Sequence, residues 1–589
     1  MISGKNILLN RLLLQMMAVN ILIGLIQPCN QFADSALTGN GLGTPALEAY
    51  SIFLPVGSFV LAMSSFFTIG TQISCSHLLG AGKGKEAKDH VRTAFLCAAV
   101  FSVLLAFVLY FFPDTAAAVL GAKGAEQIRA VGSYFQAYAV GIPAIFLMNI
   151  MMSLLLLEGR KKIAVILSLC ILIINVSGDL LNLHVFKKGL SGMALATSAS
   201  YIVVFLVLLL YFLFRSKMFR FSLTRFRRAE FVQIVKNGLP SLTYFGSLVI
   251  RTAFFNYLII TKFEGRVLAI MVVVNSFTSM VDAAIGGSGD AVLLLGGVLY
   301  GEKNVKDLRD MLKKALLYSS ILLLVITVIS IAAAVPIAAL FSNGKDPAFI
   351  QEAANAVVLT SLCFVPDVMA CILKKLIQAV GRAKYTSISN VICNVVFVGL
   401  GALILTQFMG SAGIFLSFLV CYVLTLCMHV VYAKVLSRRS GRKGFDILLY
   451  LPETYEVSDS DIWGVGVVDM NGCMEASREI LRLCKERSVD EKRCIFLSLF
   501  EEEVVKNIIE HGFRRKKKNH IMIRLVFLKD RITLNILDDC PYFDPQSYYD
   551  QLQESNERIK GFGIRIVMRM AKKASYTNSF RLNHLMIEI

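Results

Sequence analysis

Glu503, Asn507 and His511 recur every four residues, so on a helix they share one stripe. A carboxylate, an amide and an imidazole in register form a set that can take a proton, ligate a cation or hold phosphate. The same three types also suit a solvated helix face. Val504, Val505, Ile508 and Ile509 would form the apolar side of that helix. A second set lies in far greasier surroundings. Asn175 and Asp179, one helical turn apart, share a face within an apolar run, and Asp34 closes another apolar run. Carboxylates taken into hydrocarbon are costly and mark ion or proton sites. The residues alone leave a blander alternative open, with Asp34 solvated at a span end and Asp179 paired to Lys187 or Lys188. Arg251, Asp282, Asp290 and Asp367 are further charges in apolar runs and candidate substrate or ion groups, while Lys374 and Lys375 are placed to snorkel.

The elements that must position these groups follow from composition. The chain has 589 residues, 56% apolar and 17% charged, with a mean hydropathy of +0.65. Soluble domains average about 25% charged residues, so the chain is a polytopic membrane protein. Runs long enough to span a bilayer fall at about 12–32, 47–78, 93–113, 129–157, 163–185 and 190–214. Six more follow at about 238–261, 267–299, 315–341, 350–379, 386–408 and 412–435. The second and eighth are overlong. Glycine landmarks repeat between the halves, Gly80 with Gly301, Gly159 with Gly381 and Gly192 with Gly413. Two parallel six-helix repeats place a substrate site between them.

The net charge of +19 invites a nucleic-acid reading. Residues 441–589 hold 24 basic and 23 acidic side chains, so nearly all of the excess lies in the membrane half. There, alternate loops carry 28 against seven Lys and Arg. That asymmetry records sidedness, with both termini cytoplasmic in a plasma membrane, and nucleic acid is not a partner. The 13 cysteines show neither zinc-site nor disulfide spacing.

The chain therefore divides into a membrane domain at 1–440 (lobes 1–220 and 221–440), a basic juxtamembrane linker at 441–455 and an α/β tail at 456–589. The tail predicts helices at about 474–487 and 492–511. A hairpin pairs 521–527 with 532–536 across Lys529-Asp530, and a last strand covers 585–589. A further helix follows Gly563, and Arg514–Lys518 reads as a solvated basic loop. No GxxxxGK[ST] exists, which excludes a P-loop motor.

The segment QFADSALTGNGLGTPALEAY at 31–50, followed by Gly70-Thr-Gln and Gly80-Ala-Gly-Lys, resembles multidrug and toxic compound extrusion (MATE) transporters. The resemblance covers about 1–436. It implies an all-α membrane domain exporting small organic compounds in exchange for H⁺ or Na⁺. It also implies a cation site formed by Asp34, Asn175, Asp179 and Thr197.

In the tail, Glu503-x-x-x-Asn507, then Asp538-Asp-Cys-Pro, then Gly561-Phe-Gly563 resemble the three nucleotide boxes of Bergerat-type (GHKL) ATPases. The small anti-sigma-factor serine kinases are the nearest likeness, and their last strand is similar to Asn583-His-Leu-Met-Ile. The resemblance implies ATP and Mg²⁺ as cofactors. Glu503 would be the base, Asn507 the Mg²⁺ ligand and Asp538 the acceptor of the adenine amino group. Gly561 and Gly563 would let the backbone approach phosphate. Cys540 stands where that family has glycine, and a side chain there is expected to crowd the adenine. A regulatory protein or a dimer through the tail is the implied partner. Two other functions remain open: a membrane sensor whose tail phosphorylates a regulator, and a flippase for lipid-linked substrate.

Overall fold

The structure, a computed structural model, describes residues 5–216, 218–219, 226–263, 265–340, 346–453, 455, 459–513, 519–528, 531–541 and 573–589. The first lobe consists of α1 (Lys5–Leu42), α2 (Thr44–Gly80), α3 (Gly84–Phe111), α4 (Pro113–Val119), α5 (Ala125–Ala139), α6 (Ile142–Leu157), α7 (Lys161–Leu181) and α8 (Gly189–Phe214). The second begins with α9 (Arg228–Lys262), α10 (Gly265–Gly301), α11 (Val305–Ala332), α12 (Ala334–Ala339) and α13 (Pro347–Ser361). It ends with α14 (Phe364–Ala379), α15 (Ala383–Val391), α16 (Val398–Met409) and α17 (Ala412–Ser440). Among the described residues, 11 helical spans are long and apolar enough to cross a bilayer, and α5 with α6, bent by 43°, makes a twelfth.

The overlong helices number more than the two expected. α1, α2, α9 and α10 have 38, 37, 35 and 37 residues. At about 1.5 Å per residue each exceeds the hydrocarbon thickness. Polar residues at the ends of α1 and α9 continue the helix past the apolar run, so hydropathy alone understates them.

These four helices form the seam between the lobes, and glycine makes it tight. A Cβ at Gly70 would lie 2.3 Å from the Ile234 carbonyl oxygen, and one at Gly238 would lie 2.3 Å from that of Phe66. A Cβ at Gly80 would meet the Val298 carbonyl oxygen at 2.1 Å, and one at Gly301 that of His77 at 2.3 Å. Gly287 is as close to Ile21. No larger residue permits such backbone contact. The crossings join the N-terminal half of α1 or α9 to the C-terminal half of α10 or α2, or the C-terminal halves of α2 and α10 to each other, so all lie toward the end of the molecule that bears the tail.

The tail is a five-stranded antiparallel sheet in the order β1-β2-β3-β5-β4. Its strands are β1 (Ile462–Val467), β2 (Ile521–Phe527), β3 (Ile532–Asp538), β4 (Lys573–Ser579) and β5 (Leu582–Glu588). One face is covered by α18 (Met470–Glu486) and α19 (Glu491–Asn507), around Ile480, Leu497, Phe500, Ile523, Leu534 and Ile536. Sequence alternation leaves the other face polar, yet β3 is buried at every position. The membrane half covers it. On that face Arg524 is 2% exposed and pairs with Glu302 at 2.7 Å and Asp307 at 2.6 Å, both in the α10–α11 connection or its first turn. Across the sheet, the Gly82 turn touches Ser575 and Met586.

The hairpin tip Phe580-Arg581 docks in the same way. Its two residues have φ of 56° and 62°, a conformation costing about 1–2 kcal/mol each without glycine. The Phe580 N–H donates to the Leu157 carbonyl at 2.8 Å, and Gly159 leaves room for the turn's backbone.

Residues 441–453 and 455 are strapped onto the membrane half. Leu449, Tyr450, Leu451 and Tyr455 are buried, Arg309 pairs with Asp446, and Arg382 donates to the Tyr450 carbonyl at 2.6 Å. The hairpin turn Lys529-Asp530, the loop Arg514–Lys518 and the helix expected after Gly563 lie outside the described residues.

Truncating Arg524 would leave two buried carboxylates unpaired, which costs about 3–5 kcal/mol. In Arg524→Ala, hydrogen exchange should accelerate together in 521–527 and in 300–307. Unchanged protection in both segments would show that the ion pairs do not hold the tail in place.

Candidate functional site

In the first lobe α1 and α7 bring the expected acids together. The Asn175 amide donates to Asp34 Oδ1 at 2.6 Å, and the Asp34 and Asp179 carboxyls lie close enough to interact. Asp179 is fully buried, and neither of its oxygens has a hydrogen-bond partner among the described residues. The side-chain Oδ1 of Asn175 is also without a hydrogen-bond partner among the described residues. The site thus offers three oxygen acceptors and no cation, an arrangement that suits a proton or a small hard ion. Lys187 and Lys188 do not reach Asp179. The Thr197 hydroxyl donates to the Met193 carbonyl at 3.2 Å, within its own helix, and not to either acid.

Four tyrosines surround this pair and were not marked in the sequence. Tyr50, Tyr134, Tyr138 and Tyr201 all lie within electrostatic range of Asp34. Phe53 joins the cluster, its ring 4.5 Å from Tyr134 and 4.7 Å from Tyr138. Aromatic residues in apolar helices look like ordinary core, so only the fold reveals what they enclose.

The second lobe divides its charges into two groups. Arg251 on α9 donates to Asn394 Oδ1 at 3.3 Å, stacks over Phe418 at 5.5 Å and has Asp282 as its acidic neighbour. Asp367 lies near Asp282 and Tyr422. Asp290 belongs elsewhere, since Lys375 donates to it at 2.6 Å and so does not snorkel. Lys374 lies over the Tyr244 ring at 5.2 Å.

In the tail, α19 carries Glu503 and Asn507 side by side. The Asn507 amide donates to Glu503 Oε1 at 3.0 Å and to the Glu503 carbonyl at 2.8 Å, leaving its own Oδ1 for a ligand. His511 falls in a wider π turn, Ile508–Gly512, and is exposed. Asp538 ends β3. Its Oδ1 accepts from Asn583 Nδ2 at 2.8 Å and from the Cys540 N–H at 2.9 Å, while Oδ2 accepts nothing among the described residues. Burial raises the Asp538 pKa against those two hydrogen bonds. The Cys540 thiol accepts from Asn519 Nδ2 at 3.2 Å and packs against Gly512. Burial pushes that thiol up to about 12, so it is neutral. It is thereby turned toward the Ile508–Gly512 turn that follows α19. Gly561 and Gly563 lie outside the described residues, among which no cluster of three or more His, Cys, Asp or Glu forms a metal site.

Comparison with known proteins follows the same division. The MatE family model matches residues 20–181 and 245–403, more than half of the chain. A histidine kinase-like ATPase domain model matches 473–588. The multidrug export protein MepA of Staphylococcus saprophyticus is 27% identical over 203 residues, 33% of this chain and 44% of that protein. The match therefore spans less than half the length of that relative. MepA of Staphylococcus aureus (strain bovine RF122) is 21% identical over 398 residues, 66% of this chain and 85% of that protein. Among solved structures, a MATE protein in complex with MaL6 superposes with a TM-score of 0.68 at 20% identity, over 72% of this chain and 96% of that one. An outward-facing multidrug resistance MATE family transporter of the MOP superfamily gives 0.67 at 20% identity, over 74% and 98%. These two likenesses show the fold.

Glu501 is the tail acid that sequence reasoning missed. It precedes Glu503 by two residues, which turns it to the opposite side of α19 and into the core. There it is fully buried beside Cys473, with neither oxygen hydrogen-bonded among the described residues. Burial raises its pKa from 4.5 to about 8. The folded tail keeps the proton up to about pH 8, whereas the unfolded chain releases it near 4.5. Stability should thus fall as pH rises through that window, by about 1.4 kcal/mol per unit at most. Trp463 on β1 is the chain's one tryptophan and reports tail unfolding by fluorescence. Glu501→Gln should flatten the decline between pH 5 and 8, and an identical decline in the variant would assign it to other groups.

Proposed function

The chain belongs to the MatE family, and on that premise we propose that its membrane half is a cation-coupled exporter of small organic compounds, regulated by an ATP-binding tail. The observation that carries the coupling is the buried, unpartnered Asp179 beside the Asp34–Asn175 pair. Two carboxyls in an apolar interior require a counter-charge, and H⁺ or Na⁺ entering from outside supplies it. Charging and discharging the pair would alter what the tyrosine cluster holds, and so link ion entry to substrate exit. The MepA relatives are multidrug export proteins, which supports small organic compounds as cargo. Arg251, Asp282 and Asp367 are the polar groups of the second lobe best placed to meet substrate. The lysine- and arginine-rich loops support a cytoplasmic tail end, where nucleotide is found.

The tail residues fit a nucleotide. Asp538 Oδ2 would take the adenine amino group, with Asn583 and the Cys540 N–H fixing the carboxylate's orientation. Asn507 Oδ1 would face Mg²⁺, with Glu503 beside it as a base. Mg·ATP, when bound, would supply binding energy or a transferable phosphoryl group. One such domain per chain, docked by its sheet on both lobes, suits a regulator better than a motor. The docked face also favours action on the membrane half over action on a separate protein.

Vesicles with an imposed H⁺ or Na⁺ gradient, with and without ATP on the tail side, test both parts. Gradient-driven flux of a cationic dye should fall at least about tenfold in Asp34→Asn and in Asp179→Asn. ATP should change the wild-type rate and leave that of Asp538→Asn unchanged. Undiminished flux in both carboxylate variants would overturn the coupling, and an equal ATP response in Asp538→Asn would overturn the nucleotide site.

A further inference from the structure

A cavity of about 550 Å³ lies where the first lobe meets the tail, away from the carboxyl pair. Its walls come from the start of α1, the α6–α7 turn, the end of β3 and the β4–β5 hairpin. Five cations line it: Arg11, Arg160, Lys161, Lys162 and Arg581. Among the described residues only two acids do so, and both have partners. Glu158 accepts from the Tyr211 hydroxyl at 2.9 Å, from the Ser216 hydroxyl and from the Phe219 N–H at 3.3 Å. Asp539 accepts from the His520 N–H at 3.0 Å. Lys161 donates to Gln15, while Arg11, Arg160, Lys162 and Arg581 form no ion pair with any described residue.

Among the described residues these like charges thus lie together without an ion-pair partner, and Lys161 lies within electrostatic range of both Arg581 and Arg11. A fold avoids that arrangement unless a counter-ion enters. Arg581 is brought there by the left-handed turn that Phe580 and Gly159 hold in place, so backbone strain supports its position. Arg160 occupies the N-cap position of α7 without a side-chain capping bond, and the helix's first N–H groups add to the positive field. Leu12 and Met218 give the cavity an apolar side.

We propose that this cavity is a binding site for a phosphate group, which ties the tail to the first lobe. Guanidinium forks and ammonium groups converging on one space match the tetrahedral, multiply charged oxygens of phosphate better than a single carboxylate. The phosphate belongs either to an anionic lipid of the tail-side leaflet or to free phosphate in solution. The cavity adjoins the segment after Asp538 through Asp539 and Cys540, while its five cations lie outside the proposed nucleotide residues and away from Asp34.

The test uses the full chain and two probes. In one arm, inorganic phosphate is titrated calorimetrically into the protein held in phosphatidylcholine nanodiscs. In the other, native mass spectrometry in detergent compares retention of phosphatidylglycerol with that of phosphatidylcholine. One arm should show saturable binding at a single site, weakened roughly tenfold in R160Q/R581Q and restored in R160K/R581K. The responding arm identifies the source of the phosphate. If Trp463 fluorescence shows R160Q/R581Q to be unfolded, the exposed pair R11Q/K162Q replaces it, with an expected weakening of about threefold or more. Binding in both arms that does not distinguish wild type from the folded Gln variant would overturn the site, as would no binding in either arm.

Discussion

Backbone contact across the lobe seam is the constraint on which the rest of the structure depends. Gly70, Gly80, Gly238, Gly287 and Gly301 remove the side chains that would otherwise hold α2 and α10, or α1 and α10, or α2 and α9 apart. Closely packed backbones have two stable arrangements, in contact or separated, with little between them. Because the crossings lie toward the tail end, the lobes are shut there. Asp34 on α1 and Asp282 on α10 lie farther along the same helices, so the seam sets which side of the membrane they face.

The tail is built onto this closed end. Arg524 reaches Glu302 and Asp307 in the second lobe, while β4, β5 and their hairpin turn contact the Gly82 and Gly159 turns of the first. A rigid sheet touching both lobes opposes their separation, and the strap at 444–455 shortens its tether. Gly80 and Gly301 thus fall beside the residues on which the tail rests, so the close helix crossing and the docking surface are one piece of structure. The nucleotide proposed at the end of the central strand β3 would be positioned to loosen or tighten that grip, since β3 carries both Asp538 and the buried docking face.

Much of this was legible because charge in apolar sequence is expensive and conspicuous. Asp34, Asn175 and Asp179 stood out for that reason and do come together, while the same signal could not show that Asp290 pairs with Lys375 instead of joining Arg251. Thr197 was carried only by resemblance, and its hydroxyl is spent on its own helix. Arg524 alternates with apolar neighbours and therefore looked like the solvent side of a hairpin. Only a partner surface distant in sequence buries it. β1, with two glycines, and β4, Lys-Ala-Ser-Tyr-Thr-Asn-Ser, lack the apolar alternation that marks strands. Phe580-Arg581 carries no turn signal at all, because its conformation is imposed by docking and not by local preference.

The central claim is that the lobes must part along the glycine seam for each transport cycle. Gly24 on α1 and Ala283 on α10 face each other there, with 3.5 Å between an ideal Cβ at residue 24 and that of Ala283. That spacing suits a disulfide. The direct measurement is gradient-driven flux in G24C/A283C, in a background where the exposed Cys427 is replaced by serine. Oxidation should abolish flux and reduction should restore it. Full flux with the disulfide formed would contradict the account.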